Sequence, residues 1–142
     1  GGGTTTPAAG VHTYDNGTVV DITATPADGY EFVNWTGDTG TVANVNLAAT
    51  TVTMTADISL TANFAVIQYN LTMAVNDADG GTTNPAIGVH TYDTGTVVDI
   101  TATPADGYEF DSWTGAVADP NSATTTVTVT ADITVTANFV IP

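Results

Sequence analysis

The stretch GVHTYDNGTVVDITATPADGYEFVNWTG, from Gly10 to Gly37, occurs again as GVHTYDTGTVVDITATPADGYEFDSWTG, from Gly88 to Gly115. The two copies differ only at the pairs Asn16/Thr94, Val33/Asp111 and Asn34/Ser112. A faithful internal repeat indicates an array of similar structural units. We therefore predict two tandem modules, residues 1–67 and residues 68–142.

Each copy has the pattern of β-strands separated by turns. Val20, Ile22 and Ala24 alternate with polar residues, which predicts a half-buried strand. Asn16-Gly17 predicts a hairpin turn before this strand, and Pro26-Ala27-Asp28-Gly29 predicts a turn after it. In the aromatic strand that follows, Trp35 is out of phase with Tyr30 and Phe32, so a bulge near Asn34 is expected.

The rest of each module also predicts strands. The loop after the aromatic strand is three residues shorter in the second copy, so we expect it at the surface. Two alternating segments then follow, 51–55 and 58–64, which we interpret as a hairpin. No window favours an amphipathic helix. The predicted fold class is all-β: two tandem small antiparallel modules of roughly five strands each, sandwich-like or grasp-like.

The charge balance excludes several partners. The chain has 15 acidic residues and neither Lys nor Arg, for a net charge of −15. Binding to nucleic-acid phosphates depends on cationic side chains, so nucleic acid is excluded as a partner. No apolar run approaches the roughly 18 residues of a membrane span, so membrane insertion is not expected. The chain also has no Cys for a disulfide.

One strand is present before the second copy but not before the first. The segment with Tyr69, Leu71, Met73 and Val75 alternates as a strand, whereas Gly1 aligns with Asp79, after that strand has ended. Module 1 therefore lacks its first strand. Either the sequence is a fragment of a longer array, or another chain donates the strand by β-augmentation. We name this segment as the expected assembly strand.

The aromatic residues allow two interpretations. They could form a platform on which sugars stack, or they could form the core that a module of about 70 residues needs. The core is favoured because large aromatic residues dominate small cores. The predicted core aromatics are Tyr30, Phe32, Trp35 and Phe64 in the first module and Tyr108, Phe110, Trp113 and Phe139 in the second.

Few residues are candidates for catalysis or metal binding. His12 and His90 each precede an aspartate by three residues, but neither has an accompanying nucleophile or oxyanion device, so we predict no catalytic residues and no enzyme. Asp77 and Asp79 have the spacing of half a calcium loop. The ligands that would complete such a loop are missing, so no cofactor is expected beyond weak Ca²⁺ binding. Asp119 with Asn121 forms a second acidic loop.

Three asparagines match the N-glycosylation pattern of Asn, any residue, then Ser or Thr: Asn16, Asn34 and Asn70. Of these, Asn16 is in an evident loop. Glycans are therefore included among the candidate partners.

The spaced elements together resemble a known family. Gly-Thr-Val, Ala-x-Pro-x-x-Gly-Tyr-x-Phe-x-x-Trp and the closing Thr-Ala-x-Phe are similar to the divergent internalin-type (InlB-like) B-repeat. The resemblance implies a β-rich module repeated in tandem in extracellular or cell-surface proteins, without catalytic residues. We expect a structural segment of a surface protein or filament that associates with itself or with neighbouring repeats. The alternative is a carbohydrate-binding module with exposed aromatics.

Overall fold

The computed structural model describes residues 1–142, which form two compact units, Gly1–Ile67 (unit 1) and Gln68–Pro142 (unit 2). The chain is all-β apart from a short 3-10 helix at Thr39–Thr41. Unit 1 contains β1 (Gly3–Thr6), β2 (Val19–Pro26), β3 (Tyr30–Gly37), β4 (Ala49–Thr53) and β5 (Leu60–Val66). Unit 2 contains β6 (Gln68–Val75), β7 (Gly81–Asn84), β8 (Gly88–Asp93), β9 (Thr96–Pro104), β10 (Glu109–Thr114), β11 (Thr124–Val129) and β12 (Ile133–Val140).

Unit 2 is a sandwich of two sheets. One sheet has the order β10-β12-β6-β8 and the other has the order β11-β9-β7. Apolar side chains at alternate positions of both sheets meet in one core, in which Leu71, Val135, Ile100 and Val129 are fully buried. The threonines and aspartates between them face outward, as period-two alternation requires.

Unit 1 has a smaller version of the same sandwich. Its sheets are β1-β2-β4 and the two-stranded β3-β5, which corresponds to β10-β12 of unit 2. Val20, Ile22 and Val52 of the first sheet pack in one cluster with Trp35 of the second. Unit 1 has no counterpart of β6 within residues 1–67, in agreement with the predicted missing strand, and residues 10–15, which correspond to β8, form no strand.

The two predicted hairpins are wrong. β4 and β5 belong to different sheets. Asn16-Gly17 has no strand directly before it, and its counterpart Thr94-Gly95 joins β8 to β9 in the opposite sheet. The predicted turn at Pro26–Gly29 is present, and it joins β2 to β3, which also lie in different sheets. Alternation identifies which face of a strand is apolar but not its hydrogen-bonding partner. These connections cross the sandwich because the two apolar faces bury each other.

The strand pairing is also not wholly antiparallel. β12 pairs with β6 in parallel, and β6 pairs with β8 antiparallel. The parallel pair joins the first and last strands of unit 2, so no local turn could have revealed it.

The predicted bulge is confirmed. The pairing of β3 with β5 skips one residue between Phe32 and Asn34, and that of β10 with β12 skips one between Phe110 and Ser112. The skipped residue is Val33 in one unit and Asp111 in the other, a position at which the copies differ. The ladder therefore does not constrain this side chain.

Candidate functional site

In unit 2, β6 fills the centre of its sheet. It lies between β12 and β8, with Leu71 opposite Ile133 on one side and opposite His90 on the other. The side chains of Leu71 and Met73 are 0% and 1% exposed. Both edges of β6 are hydrogen-bonded and its apolar face is covered, so this strand closes the sandwich.

Unit 1 has an open groove at the corresponding place. β5 pairs with β3 on one side only, and the groove runs along its other edge. The groove has a volume of about 730 Å³, and its lining includes Tyr14, Ile22, Met54, Leu60 and Phe64. We call it the acceptor groove. It exposes apolar side chains and an unpaired strand edge together, a combination that invites pairing with a further strand.

The lining of the acceptor groove also includes residues from the start of the repeated stretch. Residues 10–15 (GVHTYD) are identical to β8, and His12 and His90 make the same 2.6 Å contact with a backbone carbonyl, of Ala8 and Ala86 respectively. Yet residues 10–15 form no strand, and Val11 is 97% exposed, against 62% for Val89. The same sequence forms a strand where β6 is beside it and none where that partner is absent.

Two further groups of unit 2 anchor the ends of β6. Near its start, the Asn70 backbone N–H donates to Asp132 Oδ1 at 2.8 Å. After its end, the Asn76 side chain donates to the Phe139 carbonyl at 3.0 Å and accepts from the Phe139 N–H at 2.9 Å. The counterparts of Asp132 and Phe139 in unit 1 are Asp57 and Phe64, and both line the acceptor groove. Sequence reasoning missed these anchors because a single aspartate in a turn carries no signal of its partner.

The tryptophans lie in the cores. Trp35 and Trp113 are 4% and 3% exposed. Their indole N–H groups donate at 2.9 Å to the backbone carbonyls of Leu47 and Ser122. Each indole is tilted against a phenylalanine, with ring centroids 5.7 Å apart in unit 1 and 5.6 Å in unit 2. Their faces are therefore not available for stacking on a sugar.

Phe32 and Phe64 pack against the core cluster of unit 1, and Tyr108 and Phe110 pack against that of unit 2, which contains Phe139. Phe139 is 2% exposed, whereas its counterpart Phe64 is half-buried beside the acceptor groove. Phe32 and Phe110 are half-buried and lie edge-on to Phe64 and Phe139, with ring centroids 6.3 Å and 6.4 Å apart. Tyr30 and Tyr108 are also half-buried.

The acidic loops are held by local hydrogen bonds. Asp77 Oδ1 accepts from the Asp79 N–H at 3.0 Å, and Asp119 Oδ1 accepts from the Asn121 N–H at 2.9 Å. The structure brings no three His, Asp or Glu side chains together as a metal-binding group. Asp77 and Asp79 lie in the turn that follows β6.

Asp77 also contacts an aromatic hydroxyl, which leads to a prediction about pH. The Tyr108 hydroxyl donates to Asp77 Oδ2 at 3.2 Å. Partial burial, followed by the charge of Asp77 and this hydrogen bond, raises the pKa of the Tyr108 phenol above its ordinary 10.0. The folded state disfavours the phenolate, so this contribution to stability is complete below about pH 10 and is lost as the pH rises through the raised pKa.

We expect Asp77→Asn to lower the pKa of Tyr108, because the mutation removes the negative charge that opposes the phenolate. The measurement is a pH titration of the ultraviolet absorbance of phenolate, with Tyr108→Phe identifying the Tyr108 component. Asp106→Asn, at an exposed position, is the matched control. An unchanged Tyr108 titration in Asp77→Asn would show that the charge of Asp77 does not act on this phenol.

The three asparagines of the glycosylation pattern lie in different surroundings. Asn16 is exposed in the turn before β2. Asn34 is half-buried in β3, where its Oδ1 accepts from Asn63 at 2.9 Å. Asn70 is exposed in β6, and its Oδ1 accepts from Thr91 at 2.8 Å. Asn16 alone of the three lies outside a strand.

Two similar sandwiches in series define this chain as a tandem β-sandwich repeat protein. The model of the divergent InlB B-repeat domain matches residues 1–68 and again residues 71–141, and the chain belongs to that family. Comparison with curated proteins and with solved structures gave no significant match. No helix of the structure is long and apolar enough to cross a lipid bilayer.

Proposed function

We propose that this chain is a structural repeat segment of an extracellular surface protein or filament, in which B-repeats follow one another and bear load along the chain. Membership of a repeat family that occurs in surface proteins supports a structural role and a location outside the cell. Within this proposal the segment acts as a stalk, adhesin or fibre unit. In the fibre form, a strand from a neighbouring polypeptide completes unit 1.

The observation that carries the proposal is the parallel pairing of β6 with β12. These are the first and last strands of unit 2, and five residue pairs join them, from Leu71↔Ile133 to Val75↔Ala137. Pulling the two ends of unit 2 apart slides one strand along the other, so the ladder hydrogen bonds resist as a group. In unit 1, β1 and β5 lie in different sheets, so the same pull meets no such ladder.

Single-molecule extension of the chain between its two ends tests this proposal. We expect two unfolding events, with the event that releases the length of Gln68–Pro142 at the higher force. For the control, a cysteine handle at the exposed Thr130, before β12, removes β12 from the line of force. With this handle, the high-force event should weaken. Equal, low forces for both units would contradict a load-bearing role.

A further inference from the structure

We propose that the acceptor groove of unit 1 binds the opening strand of a B-repeat, parallel to β5, and that residues 10–15 become a strand when it binds. The inference rests on the proposed function, because the bound strand is the opening strand of a B-repeat. It adds which strand binds, in which direction and in which register.

Unit 2 supplies the template for direction and register. There, β6 runs parallel to β12, with Leu71 opposite Ile133, Met73 opposite Val135 and Val75 opposite Ala137. The counterparts of these β12 residues in unit 1 are Ile58, Leu60 and Ala62. A donor strand in the acceptor groove therefore places its Leu, Met and Val opposite those three residues.

The apolar lining of the acceptor groove fits this donor. Leu60, Phe64 and Met54 are only partly buried, whereas their counterparts Val135, Phe139 and Val129 are at most 2% exposed beneath β6. A strand with apolar side chains at alternate positions would cover the parts of these three side chains that are still exposed. The hydrophobic effect favours that burial.

Polar groups of unit 1 are placed to hydrogen-bond the two ends of the same donor strand. Asp57 is exposed at the place where Asp132 accepts the Asn70 backbone N–H in unit 2. At the other end, the backbone of Phe64 takes the place of Phe139, which exchanges two hydrogen bonds with the Asn76 side chain. Asp57 and Phe64 thus mark the two ends of a site of matching length.

Exchange of β6 between copies of the chain does not fill their acceptor grooves. Each chain has two sandwiches but only β6 as a strand of this kind. A copy that donates β6 to unit 1 of another copy leaves its own unit 2 open, so the number of open grooves is unchanged. The donor therefore comes from outside residues 1–142.

The donor also provides the edge that residues 10–15 lack. In unit 2, β8 pairs with β6 at six positions, from Gln68↔Asp93 to Met73↔Gly88. A strand in the acceptor groove offers the same edge to the identical sequence GVHTYD. Binding thus joins β5 and residues 10–15 into one four-stranded sheet.

The test titrates the full chain with a capped peptide that copies Gln68–Asp77, followed by NMR. We expect amide shifts and hydrogen-exchange protection in residues 10–15 and along β5. A spin label at the N-terminus of the peptide should broaden signals near Ile58, and a label at its C-terminus should broaden signals near Phe64. A peptide with Asp in place of the leucine should bind about 100-fold more weakly, because a carboxylate would enter the core unpaired.

A variant of the chain tests the polar end of the site. Asp57→Asn should weaken peptide binding about tenfold, since it replaces a charged hydrogen-bond acceptor with a neutral one. Asp21→Asn, at an exposed position on β2, is the matched control and should bind normally.

Three outcomes would overturn the inference: no response of residues 10–15 at a saturating peptide concentration, broadening in the reverse direction, or ordering of residues 10–15 by the chain alone as its concentration rises. The third outcome would identify a second copy as the occupant. Failure here would leave the extension experiment on unit 2 unaffected, because that force depends on β6 and β12 of the same unit.

Discussion

Replacing Leu71 with aspartate is expected to unfold unit 2 while unit 1 stays folded. Leu71 is fully buried between the two sheets, and the chain has no Lys or Arg to pair with a carboxylate there. An unpaired buried charge costs several kcal/mol, which is comparable to the whole stability of a small domain. The milder Leu71→Ala should lower the free energy of unfolding of unit 2 by about 2 to 5 kcal/mol.

The indole N–H signals of Trp35 and Trp113 measure the two units separately by NMR during denaturant titration. Thr128→Asp, which places the same charge on the exposed face of β11, is the matched control and should change the free energy of unfolding by less than about 0.5 kcal/mol. If Leu71→Asp unfolded both units together, the units would not be independent. If it unfolded neither, β6 would not be an essential part of the core.

The second large effect is expected at the tryptophans. Trp113→Ala should destabilise unit 2 by about 3 to 5 kcal/mol, because it removes the largest side chain of the core and leaves a cavity. It also deprives the Ser122 carbonyl of its indole donor, which adds to the cost. Trp35→Ala should destabilise unit 1 to a similar degree, since its tryptophan has the same burial, hydrogen bond and phenylalanine neighbour.

Trp113→Phe separates the two causes. It retains an aromatic ring in the core but loses the hydrogen bond to Ser122, so its cost should be clearly smaller than that of Trp113→Ala. Chemical denaturation monitored by far-ultraviolet circular dichroism gives the free energies of unfolding. If Trp113→Ala lowered the free energy of unfolding by less than about 1 kcal/mol, the indole would not be a main source of the stability of unit 2.

Local features of the fold could be predicted from the sequence because local chemistry determines them. Val20, Ile22 and Ala24 face inward as their alternation indicates, and the phase change before Trp35 marks a real bulge. Strand partners could not be predicted, because both sheets of a sandwich show the same alternation. The parallel contact of β6 with β12 depends on the closing of the whole unit, which leaves no local trace.

Only part of the candidate site, the acceptor groove, could be predicted from the sequence. Alignment of the copies shows that the strand Tyr69–Val75 has no counterpart before Gly10, and this identifies the gap. Alignment does not show that residues 10–15 lose their strand structure beside the gap, since their sequence is that of β8. Backbone pairing depends on a neighbour as well as on side chains, so identical residues take two conformations.

The near-identity of the two copies also affects folding. β2 and β9 share the residues VVDITATP, so neither face of these strands distinguishes the correct sandwich from the neighbouring one. A chain that is still folding can therefore pair strands across units, a characteristic failure of repeat proteins. The correct pairing must therefore be selected by features that differ between the units. These features are β6 and the unequal lengths of the loops that precede β4 and β11. Early pairing of β6 with β12 would assemble unit 2 from its own strands, and the remaining strands would then form unit 1.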